Sequence, residues 1–184
     1  MKDRFFYPLA AIVIAAMIAF ALSLKTDTTP SNVDLYERQG VDLSELFPSP
    51  GTTVRLRESG DDVFAVMSAH MTRDVAPPSS GVFGTLGPAY EANFGGATIR
   101  VTVRARQSKT TPASSMELGY FTTGVGDSGW KPFSLSGEFV DYSFEFSPNP
   151  PIEKGIDYVG IWPDPAGKGG VIDVQSVRVE RLRP

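Results

Sequence analysis

The chain has 184 residues, of which 41 % are hydrophobic and 21 % charged, with a formal net charge of −4, 18 glycines and 15 prolines. That length suits one ordinary domain with a short addition, and the glycine and proline content suits turn-rich β structure better than a helical bundle. With no cysteine and a single histidine, disulfides, thiolate zinc sites, iron–sulfur clusters, a cysteine nucleophile and a multi-histidine metal site are excluded.

Phe5 to Leu24 run for 20 residues without a charge. At ~1.5 Å per residue this covers about 30 Å, the thickness of a bilayer's hydrocarbon core. Lys2 and Arg4 precede the run, whereas Lys25 and Asp27 cancel after it. The positive-inside rule therefore predicts a single-pass anchor with a cytoplasmic N-terminus, placing everything after Leu24 on the outer side. In a bacterial inner membrane that side is the periplasm. The rival reading is a cleaved signal peptide, because Ala19-Phe20-Ala21 has the small-x-small form of a cleavage site. Ala11, Ala15 and Ala19 make a small-residue stripe on which a partner's membrane helix could pack.

Residues 26–51 read as a linker. Ser31 is a candidate cap for a short helix through Arg38, with Gly40 as its stop. Phe47 is expected to pack on the domain edge.

Beyond Lys25 the chain carries 14 basic and 20 acidic residues and is net −6, against nucleic acid or anionic lipid as a partner. From Thr52 onward the hydrophobic period is two. Val54 and Leu56 alternate with Arg55 and Arg57, and Val63 to Ala69 follow an SGDD turn. Ile99, Val101, Val103 and Ala105 alternate with Arg100, Thr102, Arg104 and Arg106. Met116, Leu118 and Tyr120 share a face, as do Tyr142, Phe144 and Phe146, and Val159 and Ile161 mark a short strand. In the last strand the phase switches between Ile172/Val174 and Val177/Val179, which predicts a β-bulge near Gln175–Ser176. The pattern predicts an all-β protein: an antiparallel sandwich over residues 52–184.

The stretch SGWKPFSLSGEFVDYSFEF at 128–146, then DYVGIWPD, then GGVIDVQSVRVERL, resembles the galactose-binding-like jelly-roll superfamily, including carbohydrate-binding modules of bacterial polysaccharide enzymes. The resemblance implies a jelly roll whose relatives bind sugars, lipids or proteins. It also implies a structural calcium held by carbonyls and an acid near the chain ends. Glu58, Asp61 and Asp173 are the acids to which that implication extends. The sequence itself calls for no cofactor.

Chemistry-bearing residues are sparse. Ser68, His70 and Asp74 offer a nominal nucleophile–base–acid set, but one strand alone cannot assemble an activated serine. Glu117, Asp127, Glu138, Asp141, Glu145, Asp157, Asp164 and Asp173 are scattered, each expected to be solvated. Gly167-Lys168-Gly169-Gly170 reads as a turn, since the phosphate-loop spacing is absent. Tyr158, Gly160 and Trp162 lie on the face opposite Val159 and Ile161. They predict an aromatic platform for a sugar ring, with Arg104 as polar support beside Arg100 and Arg106. Trp130 reads as core or edge packing. The expectation is a non-catalytic, membrane-anchored envelope domain that binds a glycan or a partner. The alternative is an accessory subunit of a membrane complex with a periplasmic sandwich.

Overall fold

A computed structural model describes Val13, Ile14, Met17 and residues 33–60, 62–77, 80–123, 126–153 and 155–183. The chain divides into Met1–Ser31 and Asn32–Pro184. In the first unit Val13, Ile14 and Met17 are helical and exposed. The rest of the expected span, with Ala11, Ala15 and Ala19, lies outside the described residues. Among the described residues no helix is long and apolar enough to cross a membrane.

The described residues of the second unit form eleven strands: β1 Leu35–Gln39, β2 Phe47–Pro48, β3 Thr52–Ser59, β4 Asp62–Ala69, β5 Val82–Leu86, β6 Ile99–Gln107, β7 Ser115–Phe121, β8 Lys131–Ser134, β9 Val140–Phe146, β10 Asp157–Trp162 and β11 Val171–Arg181. A 3-10 turn, Gly40–Glu45, joins β1 to β2, and one short helix, α1, spans Pro88–Phe94 between β5 and β6. The strands form two antiparallel sheets. In the six-stranded sheet the order is β3-β4-β11-β6-β9, with β1 also pairing β11; in the five-stranded sheet it is β2-β5-β10-β7-β8.

Period two sets which side chains meet between the sheets. Ile99, Val101, Val103 and Ala105 of β6 are wholly buried, as are Met116, Leu118 and Tyr120 of β7. Val159 and Ile161 of β10, beside Tyr120 and Leu118 in the same sheet, are buried in the same core. Tyr142 is buried, and Phe144 and Phe146 pack against the core while half-buried, because β9 is an edge strand. The register of β11 against β6 shifts between Val174 and Ser176. That bulge returns Val177 and Val179 to the face of Ile172 and Val174, and all four are buried.

The segment before Thr52 departs from the expected linker and helix. Leu35–Gln39 is a strand, with Tyr36 opposite Val179 in β11. Tyr36 is 1 % exposed, so burying its ring in the sandwich overrides a weak local preference for helix. Phe47–Pro48 pairs Phe83–Val82 at the edge of the other sheet. Residues read as a tether therefore contribute to both sheets.

Candidate functional site

The outer face of the five-stranded sheet is aromatic. Phe83 comes from β5, Tyr158 and Trp162 from β10, Phe121 from β7, Phe47 from β2, and Trp130 from the segment before β8. In register, Gly160 stands between Phe83 on one side and Gly119 on the other. The missing side chains let neighbouring rings lie down on the sheet. A Cβ at Gly160 would stand 2.7 Å from Phe83, 2.8 Å from Phe121 and 3.0 Å from Trp130. A Cβ at Gly119 would stand 2.6 Å from the Phe121 ring. Gly160 leaves room above the sheet, and the protein's own rings occupy it.

Those rings pack as a chain of tilted and edge-on pairs. Phe121 and Trp130 are 5.0 Å apart, Phe83 and Phe121 5.8 Å, Phe83 and Tyr158 6.1 Å, and Phe47 and Tyr158 6.4 Å. At one end the chain opens into a cleft of about 480 Å³ lined by Phe47, Phe83, Phe121, Tyr158, Ser49, Thr122 and Asp127. Phe47 is 41 % exposed, and Tyr158 and Phe121 are half-buried. The polar groups stand among aromatic walls. The Thr122 N–H donates to Asp127 Oδ1 at 3.1 Å, leaving the second carboxylate oxygen of this exposed residue without a partner among the described residues. Ser49 Oγ is committed to the Gly81 backbone. Apolar walls with a few polar atoms are the composition of a small-ligand site.

The predicted platform is not formed as expected. Tyr158 lines the cleft, but Trp162 is 0 % exposed. Trp162 lies on the outer face, but that face is covered: Met71, Ala76 and Trp130 pack on it. The Arg73 guanidinium lies 4.9 Å over the Trp162 ring and 5.1 Å over Trp130. The Trp162 indole N–H donates to the Asp164 carbonyl at 3.0 Å. Beside this end Glu117 is shifted above its ordinary carboxylate range by burial, against the pull of Arg73. Arg104 is not near Tyr158. It projects from β6 of the other sheet, pairs with Asp141 at 3.0 Å and donates to Gln175 at 2.9 Å. Arg100 pairs with Glu145 and Glu180, and Arg106 with Asp173.

Among the other candidates, Ser68 Oγ lies 3.4 Å from His70 Nε2 and 2.8 Å from Thr53 Oγ1, while Asp74 and His70 are exposed. Three carboxylates expected to be solvated are buried: Asp157, Asp164 and Asp173. Asp164 Oδ2 accepts the Lys168 and Gly170 N–H groups at 2.8 Å each and shapes the glycine turn. Asp157 Oδ2 accepts the Tyr120 hydroxyl at 2.6 Å. Burial pushes Asp157 up to about 6, with the nearby Glu91 charge adding to the rise and the Tyr120 bond opposing it. Of the acids in the calcium expectation, Asp61 lies outside the described residues, Glu58 is exposed, and Asp173 gives Oδ2 to Arg106 at 2.9 Å.

No protein-family model and no curated protein matches the sequence. Solved structures do match the fold. A family 22 xylan-binding domain from Paenibacillus barcinonensis superimposes with a TM-score of 0.57 at 5 % identity, over 81 % of this chain and 94 % of that one. The C-terminal family 22 carbohydrate-binding module of a Clostridium thermocellum xylanase superimposes with a TM-score of 0.52 at 14 % identity, over 83 % and 97 %. The fold is thus the β-sandwich of carbohydrate-binding modules, as the resemblance implied. At such identities the likeness extends to the fold alone.

Proposed function

We propose that the chain is a non-catalytic, membrane-anchored envelope domain that binds a neutral glycan in the cleft between Phe47 and Tyr158. The observation that carries this reading is the lining itself. Aromatic rings supply apolar faces for sugar C–H groups, and Asp127 and Thr122 add polar groups to the same lining. Among the described residues of the lining Asp127 is the only charged one, and no described Lys or Arg is among them. A uronate-rich polymer would meet an unscreened carboxylate with no counter-charge, so a neutral chain is favoured. Anchoring is supported by the uncharged run Phe5–Leu24 behind Lys2 and Arg4. The solved domains of like fold add weight, since two are described as a xylan-binding domain and a carbohydrate-binding module.

Affinity electrophoresis tests this directly. Gels containing xylan, mixed-linkage glucan or polygalacturonate are run with the wild type and with Phe47→Ala. Retardation by a neutral polymer, weakened in the variant and absent with polygalacturonate, is the expected result. Equal mobility in all gels would end the glycan reading.

A further inference from the structure

We infer that Glu91 and Asp157 form a proton-operated latch at the start of β10: a proton keeps the pair packed beneath α1, and its loss frees residues 155–158 and with them one wall of the cleft. Both carboxyl groups are almost inaccessible, at 4 % and 1 % exposure. Each has one oxygen bonded: Glu91 Oε2 accepts the Gly155 N–H at 2.6 Å, and Asp157 Oδ2 accepts the Tyr120 hydroxyl at 2.6 Å. The other oxygens, Glu91 Oε1 and Asp157 Oδ1, are buried without a partner among the described residues. Neither residue takes part in an ion pair among the described residues. The junction is crowded, since a Cβ on Gly155 would lie 2.8 Å from Glu91 Oε1 and 3.3 Å from Thr123.

Two like charges buried together without a counter-charge are costly, and a proton on one of them removes the cost. Glu91 from α1 and Tyr120 from β7 are the titratable groups that act on Asp157. The neighbouring β5 and the facing β6 add apolar side chains to the same core: Val82, Leu86, Ile99 and Val101. Burial lets the folded chain hold the Asp157 proton up to about 6, whereas an unfolded chain releases it near 3.8. Across that window the unfolding equilibrium constant therefore grows by up to about tenfold per pH unit, and the stability lost on the way up stays lost above it. Bonding carries the change to the cleft. Tyr158 follows Asp157 and lines the cleft. The Ile156 carbonyl accepts Thr123 Oγ1 at 3.0 Å, and Thr123 follows Thr122, another lining residue. The latch rests on the proposed glycan reading only for what the cleft holds.

The test compares the full-length chain with Asp157→Asn in mild detergent, with EDTA in every buffer, from about pH 4.5 to about pH 7.5. Asparagine keeps an acceptor for Tyr120 and never ionises. Urea denaturation reads stability. Hydrogen exchange reads the protection of the Gly155 amide that Glu91 holds, corrected for the intrinsic pH dependence of exchange. In wild type, both are expected to fall as pH rises through about 6, and in Asp157→Asn both should be flat over that step. Affinity electrophoresis in a neutral polymer at the two ends of the range should show stronger retardation of wild type at the acid end and no such difference in the variant. The same pH dependence in both proteins, or Gly155 protection that ignores pH, would overturn the latch. Should Asp157→Asn fail to fold, Tyr120→Phe decides: it removes the bond that favours the Asp157 carboxylate, so the fall should move to higher pH, and an unmoved midpoint would overturn the inference. Protection that falls with pH in a chain no polymer retards supports the latch and removes the glycan reading, whereas retardation without any pH dependence does the reverse.

Discussion

Replacing Trp162 by alanine should unfold the protein more readily without touching its ligand contacts. The side chain is wholly buried, so its removal leaves a cavity the size of an indole at the covered end of the aromatic face. Large-to-small changes of this kind cost about 3–5 kcal/mol. Three losses fall within that figure. The edge-on contact with Trp130 at 6.5 Å belongs to a class worth about 0.5–1.5 kcal/mol. The Arg73 guanidinium at 4.9 Å contributes about 0.5–2 kcal/mol, and the indole N–H bond to Asp164 about 1 kcal/mol. Against a typical stability of about 5–15 kcal/mol, the variant should stay folded at room temperature, with its unfolding temperature lower by about 10 °C. Urea denaturation followed by circular dichroism measures this, with an unchanged slope showing that only stability moved. A stability loss under about 1 kcal/mol would show that Trp162 is not packed as described and would restore it as a surface ligand contact.

Gly160→Ala pushes a methyl to within 2.7 Å of Phe83 and 2.8 Å of Phe121; it should cost about 1–3 kcal/mol by overpacking, and a neutral effect in denaturation would mean the rings do not rest on this glycine. Asp164→Ala strips the acceptor from the Lys168 and Gly170 amides; a loss of about 1–3 kcal/mol is expected, with faster hydrogen exchange at both amides as the check. Burial moves Tyr36 from its ordinary 10.0 to about 12 and raises Tyr120 further still. The protonated phenols favour the folded state, so this stability is intact below pH 10.0 and is lost as pH climbs through about 12. Phenolate absorbance should therefore show Tyr36 and Tyr120 titrating only with unfolding; their appearance near pH 10.0 in a folded protein would contradict their burial.

What could be read from the chain was whatever depends on strand phase. The bulge in β11 was visible because two valine pairs out of step must both reach one face, and the register shift lies between Val174 and Ser176. The faces of β6, β7 and β10 followed from the same arithmetic. What covers a face is a long-range matter and was not legible. Trp162 stands in the outward phase, yet Met71, Arg73 and Trp130 reach it from distant segments. Arg104 sits on a correctly read strand, but nothing in its neighbourhood tells which sheet that strand joins. Two signals in the chain point further than the platform. Glycines inside strands, Gly119 and Gly160, marked where rings approach the backbone, and Asp157 stands in phase with Val159 and Ile161, an acid on a core face. Phe47 reaches the cleft through a two-residue strand, Phe47–Pro48, too short to show a period of its own.

The most direct test of the cleft as a glycan site is calorimetric titration of a soluble neutral polysaccharide into wild type and Tyr158→Ala. Tyr158 is half-buried at the cleft and paired edge-on with Phe47 and Phe83, so its loss should leave the fold intact while removing one stacking ring. The predicted result is measurable binding by wild type, weakened by about 1–2 kcal/mol, or ~5–30-fold, in the variant. Equal affinities, or no binding by wild type to any neutral glycan, would contradict the assignment.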